Sequence, residues 1–168
     1  MAVYTKVIKK ILKWEGGFAN VPGDTGGATM KGVTLSTYRQ YFGKDKTVQD
    51  LKEITQAEWD YIFKKGYWDK WKADDIENQS IAELLVDWVW TSGIWGIKLP
   101  QRVLGVKDDG VVGDKTIAAI NTYHDKKELF DKLWNRRKKQ FQDIAKNGKE
   151  KFLAGWLNRL NDFKYSEN

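Results

Sequence analysis

Apolar residues open the chain at Val3, Tyr4, Val7, Ile8, Ile11 and Leu12, the i, i+3, i+4 spacing of an amphipathic helix over residues 3–15. Gly16 and Gly17 end that pattern. Residues 16–34 carry too many glycines for a helix and read as a loop with room for a short hairpin. Thr34 suits the cap of a short helix through Leu35, Tyr38 and Phe42. Thr55 and Glu58 form a T-x-x-E capping box ahead of Trp59, Ile62 and Phe63. From Ser80 onward, Ile81, Leu84, Leu85, Trp88 and Val89 make one face, and Ala82, Val86 and Trp90 widen it. A helix apolar most of the way round belongs at the centre of a fold. Gly93 and Gly96 break the pattern. An Asp109-Gly110 turn and a helix capped by Asp114 follow. Two more amphipathic helices close the chain, one through Leu129, Phe130, Leu133, Trp134, Phe141 and Ile144, the other through Phe152, Leu153, Trp156, Leu157, Leu160 and Phe163.

The pattern predicts a mainly α protein with a glycine-rich loop near its N-terminus. The 168 residues suffice for one real core. No internal repeat or low-complexity linker interrupts them, and proline occurs only twice.

Composition narrows the chemistry. There is no cysteine, and the only histidine is His124. Thiolate and multi-histidine metal sites and a histidine-based triad are thereby disfavoured. Catalysis, where present, should use carboxylates, without a metal or other cofactor. Lys+Arg 29 against Asp+Glu 23 leaves a net charge of +6. That permits anionic partners and equally fits a solvated, lysine-rich surface. No stretch approaches the ~20 apolar residues of a membrane span. The segment MAVYTKVIKKILKWE mixes lysines into its apolar pairs and reads as a mature helix, not a signal peptide. Nine tryptophans, with seven tyrosines and seven phenylalanines, can fill a core or stack on sugar rings.

The stretch ILKWEGGFANVPGDTGGATMKGVT concentrates the chemistry. Steps of i+3 from Leu12 and i+4 from Ile11 both land on Glu15, which therefore projects from the buried face at the last turn of its helix. Burial and the negative end of the helix dipole both favour a protonated carboxyl there. A protonated carboxyl is what a general acid needs to protonate a leaving glycosidic oxygen. Gly16 and Gly17 leave space beside it. Asp24, in the loop, should stay solvated and ionised. Thr25 and Thr29 add hydroxyls able to hold a water. Two carboxyls whose environments push their pKa values apart make a glycosidase pair. On spacing alone, an ordinary helix end at Glu15 and an ordinary turn at Asp24 fit as well.

WEGGFANVPGDTGGATMKGVT resembles the signature of glycoside hydrolase family 108, the N-acetylmuramidase-like phage endolysins and bacterial secretion-activator proteins. Glu15, Gly16, Gly17, Phe18, Asn20, Asp24, Gly26, Gly27, Thr29, Gly32, Val33 and Thr34 carry the likeness. PQRVLGVKDDGVVGDKTIAAINTY resembles the predicted peptidoglycan domain that follows in this family, and GWLNR its closing helix. The resemblance implies a lysozyme-like helical unit in which a catalytic half, 1–91, packs against a helical peptidoglycan-domain half, 92–168. It implies cleavage of the β-1,4 bond after N-acetylmuramic acid, with Glu15 as the catalytic acid. By similarity to phage-type lysozymes, Asp24 is base or electrostatic stabiliser and Thr29 seats the nucleophilic water. Phe18, Asn20, Thr25, Tyr67, Trp68, Trp90 and Trp95 are candidates for lining the substrate groove, and each aromatic also has a core reading.

One departure stands out. Many relatives carry an Asn where Thr91 precedes Ser92-Gly93. The D-G-x-x-G-x-x-T segment from Asp109 to Thr116 either grips glycan or stem peptide, or is a turn and helix start that completes the fold; the second reading is favoured. Three functions compete: a cofactor-free muramidase, a wall-binding adaptor in secretion or phage lysis that has lost turnover, and a basic nucleic-acid binder. No common nucleic-acid recognition motif is present, which ranks the third last. The expected partners are peptidoglycan glycan strands and a holin or other export partner, with no specific nucleic acid. The expected setting is a monomer made in the bacterial cytoplasm and acting at the cell wall after release.

Overall fold

The computed structural model describes residues 1–21 and 26–168. Its helices are α1 (Tyr4–Trp14), α2 (Leu35–Phe42), α3 (Val48–Lys52), α4 (Gln56–Phe63), α5 (Gln79–Ser92), α6 (Trp95–Leu104), α7 (Asp114–Asn121), α8 (Lys126–Ala145) and α9 (Glu150–Asn161). Strands β1 (Phe18–Ala19), β2 (Thr29–Met30) and β3 (Val33–Thr34) form a small antiparallel sheet in that order. The fold is thus mainly α and lysozyme-like, and the short hairpin expected within the glycine-rich stretch is present. The chain divides into two compact units, Thr5–Gly66 and Met1–Tyr4 with Tyr67–Asn168.

In the first unit, β2 and β3 join through Lys31 and Gly32, both at positive φ (48° and 80°). A two-residue turn of that geometry matches the twist of the flanking strands. The Trp59 indole N–H donates to the Lys31 carbonyl at 2.9 Å, pinning the turn to α4. Thr34 caps α2, its hydroxyl accepting from the Thr37 amide at 3.1 Å. Thr55 and Glu58 form both bonds of the expected capping box on α4. Thr47 and Asp50 form a second box, on α3, which sequence reading missed because the closing residue is Asp, not Glu or Gln.

The second unit is organised around α5, whose residues Ser80 to Val89 are all buried. Its cap is Asn78, whose side-chain oxygen accepts from the Ile81 amide at 3.0 Å, so the helix starts before Ser80. Helices α6 and α8 pack on α5, α7 on α6 and α9 on α8. Gly96 lets α6 press against α5, since a Cβ there would lie 2.4 Å from the Val89 nitrogen. Asp114 does not cap α7: the cap is Gly113, and Asp114 is the first helical residue, placed to favour the positive dipole end. Between α4 and α5 the backbone runs through a π-turn (Lys64–Trp68) and two 3₁₀ turns (Asp69–Trp71, Ala73–Asp75), a tight course that no simple periodicity in GYWDKWKADDI announces.

Candidate active site

Val7 and Ile11 are the buried residues of α1, both fully shielded from solvent. The next i+4 step along that line is Glu15. The helix ends at Trp14, and the Glu15 amide closes a tighter turn by donating to the Leu12 carbonyl at 3.2 Å. Glu15 is half-buried, not enclosed as the stripe alone predicts, because it stands one residue beyond the helix, where the core-facing row gives way to the loop.

Gly16 and Gly17 are not at positive φ, and a Cβ built on either meets no atom within 4 Å. Neither packing nor backbone conformation demands glycine there. What the two residues leave is open space at their own Cβ positions, directly after Glu15 in the chain.

Strand pairing brings the rest of the motif back toward Glu15 along the chain. Phe18 pairs with Met30 and Ala19 with Thr29, so Thr29 stands across from a residue four positions after Glu15. Thr29 is half-buried, and Asn20 is exposed at the end of β1. The Phe18 ring is exposed and carries the Lys52 ammonium 4.5 Å from its centroid, a cation–π contact. Asp24 and Thr25 lie outside the described residues.

Of the candidates in the second unit, Tyr67 and Trp90 are half-buried and meet edge to face, ring centroids 4.7 Å apart. Trp95 is exposed. Trp68 is corrected to a core residue: it is fully buried, its indole N–H donates to Asp74 at 2.8 Å, and Tyr4 packs against its ring edge-on. It cannot line a groove.

The D-G-x-x-G-x-x-T segment is a loop, Asp109 to Gly113, that runs into the first turn of α7. The buried Gln101 side chain donates to the Val111 carbonyl (3.0 Å) and Thr116 hydroxyl (3.3 Å) and accepts from the Gly110 amide (2.9 Å). Asp109 accepts from the Val111 amide at 2.9 Å. That backbone bond is the main reason its carboxyl is held below the ordinary aspartate range, against the small opposing effect of burial.

Sequence reasoning missed a buried polar cluster. Asp87, on α5, accepts from Arg137 at 2.7 Å and from Arg159 at 2.6 Å. The Arg137 guanidinium also donates to the Thr91 hydroxyl at 2.9 Å, and that hydroxyl donates to the Asp87 carbonyl at 3.0 Å. Thr91, exposed near the end of α5, is thereby tied to the Asp87–Arg137 pair. Two surface depressions follow α8 and are lined by its charged residues, Asp131, Lys132 and Lys139 among them.

Residues 8–93 match the glycosyl hydrolase 108 family model, and residues 95–161 match the predicted peptidoglycan domain. No curated protein matches the chain. Among solved structures, Brucella abortus SagA is similar at 26% identity and a TM-score of 0.77, over 98% of this chain and 97% of that one. With the Glu15 motif inside the first match and the Gln101-stapled loop inside the second, the chain belongs to glycosyl hydrolase family 108, followed by its predicted peptidoglycan domain.

Proposed function

We propose that the protein is an N-acetylmuramidase that cleaves the β-1,4 bond of peptidoglycan, with Glu15 as the general acid. The observation that carries the reading is the placement of Glu15: on the continuation of the buried Val7–Ile11 line, half-buried, with open space at Gly16 and Gly17. A half-buried carboxyl at a helix end followed by two glycines can meet a glycosidic oxygen within hydrogen-bond reach. Thr29, fixed by its strand partner Ala19, offers a hydroxyl for the attacking water, and Asp24 acts as base or as stabiliser of the positive charge that develops on the sugar. Phe18 and Asn20, together with Tyr67 and Trp90, are the proposed sugar contacts in their respective units. No cofactor takes part. Peptidoglycan is reached after release from the cytoplasm through a holin or another export partner, and the working form is a monomer.

The test is the chemistry of the products. Digested peptidoglycan should carry new reducing ends on N-acetylmuramic acid, and Glu15→Gln should produce almost none. New reducing ends on N-acetylglucosamine would reassign the bond, and binding without any new reducing ends would turn the reading to a wall-binding adaptor.

A further inference from the structure

We propose that the exposed face of α6, formed by Trp95, Lys98 and Arg102, docks the carboxylate-bearing peptide arm of a peptidoglycan strand. The proposal rests on peptidoglycan being the substrate. It assigns a second contact, apart from the Glu15 motif, that reads the peptide and not the bond to be cut.

The three residues are spaced i, i+3, i+7 and so share one side of the helix. Gly96, Ile97, Leu99, Pro100 and Gln101 are buried, and the close approach of Gly96 to the α5 backbone holds the helix in place. Trp95 is 47% exposed, a large apolar area left in water beside the equally exposed Ile94. The Lys98 ammonium lies 5.4 Å and the Arg102 guanidinium carbon 5.6 Å from its ring centroid. Arg102 donates through its Nε to Asp108 at 2.6 Å, which orients the guanidinium and leaves its two terminal nitrogens without a partner among the described residues. The Lys98 ammonium has no hydrogen-bond or ion-pair partner among the described residues. Two cations against one carboxylate leave this spot positive.

The adjoining loop is fixed and close. Gly110, at φ +75°, sits so near Ile94 that a Cβ would fall 2.7 Å from the isoleucine Cδ1 and 3.6 Å from the Lys98 Cε. Gln101 staples the same loop from beneath. Val111, next in the chain, is 68% exposed. A preformed patch of indole, two aliphatic side chains and two under-neutralised cations suits a ligand that presents C–H surface and a carboxylate within a few ångströms. A glycan strand bearing acidic peptides does so. Nucleic acid would call for cations spread along a track, with repeated phosphate contacts.

The experiment uses the full chain carrying Glu15→Gln, so that the wall polymer is not consumed, and sacculi freed of phosphate polymers. Sedimentation binding is compared between untreated sacculi and sacculi whose carboxyls have been amidated with carbodiimide and ethanolamine. The parent protein should lose roughly tenfold in affinity on amidation, the scale of exposed ion pairs combined with a cation–π contact. The Lys98→Gln/Arg102→Gln double variant should bind both preparations equally and weakly. Trp95→Ala should weaken binding to both. Lys127→Gln/Lys139→Gln, with the same change of charge on α8, should bind as the parent does. Equal binding of the parent to both preparations would overturn the proposal, as would an equal loss in the α8 control or tighter binding to single-stranded DNA than to sacculi. Turnover by the protein with Glu15 intact reports on the hydrolase reading separately, so the two can fail independently.

Discussion

The Asp87 carboxylate meets the Arg137 guanidinium 2.7 Å away, with both side chains fully shut off from water. A second guanidinium, Arg159, reaches the same carboxylate at 2.6 Å. One anion thus serves two cations in the core that supports the central helix. Burial pulls the Arg137 guanidinium below its ordinary value, and Asp87 works in the opposite direction. Its Nε and Nη1 have no hydrogen-bond partner among the described residues, while the rings of Phe141 and Phe163 lie 5.3 and 5.9 Å from its central carbon. Removing Asp87 would leave the fully buried Arg137 guanidinium without its counter-charge. Asp87→Ala should therefore cost about 3–5 kcal/mol. Asp87→Ala combined with Arg137→Met should cost less than Asp87→Ala alone. Denaturant unfolding of the three proteins checks the order.

Gln101 staples the Asp109–Gly113 loop and the start of α7 through a side chain that is wholly buried. Gln101→Leu keeps the volume and leaves the Gly110 amide unpaired, at about 1–3 kcal/mol. Hydrogen exchange at Gly110 should accelerate well beyond that of α5 amides. Unchanged protection at Gly110 would mean that the loop is held by other contacts.

Asp50 gives a pH prediction. Its carboxyl is held below the ordinary aspartate range chiefly by the Thr47 backbone N–H (2.7 Å) and next by the Thr47 hydroxyl (2.9 Å). Because the folded-state pKa is the lower one, the stabilisation is fully present above the unfolded-state pKa and is lost as pH falls through the folded-state value. An NMR titration should place the Asp50 midpoint below that of an unstructured aspartate. Thr47→Val, which keeps the backbone donor, should raise it only part of the way.

Gly17 separates folding from function. With open space around it and no positive φ, Gly17→Ala should leave stability within about 1 kcal/mol of the parent or slightly raise it. The added methyl would enter open space two residues after Glu15, where substrate is proposed to enter, so lysis of peptidoglycan should slow. Full activity in Gly17→Ala would argue against entry on that side.

What the sequence disclosed is what depends on near neighbours. Thr34, Thr55 and Glu58 announce their helices because a cap and its partner lie three residues apart. The row Val7, Ile11, Glu15 is legible for the same reason. Asp87 is not, since its partners stand 50 and 72 residues away and an aspartate within an apolar helix carries no mark of them. Trp68 and Trp95 look alike in composition, yet one fills the core and the other stands in water; only packing separates them. The half-burial of Glu15 also escaped the pattern, because periodicity cannot tell the last residue of a helix from the first one past it.

The proposed role of Glu15 is tested most directly by the initial rate of turbidity loss in a peptidoglycan suspension, wild type against Glu15→Gln at equal concentration and equal thermal stability. Loss of a positioned general acid should slow the rate by about a hundred- to ten-thousandfold while cosedimentation with the wall is largely kept. Equal rates in the two proteins, or binding without lysis in both, would contradict it.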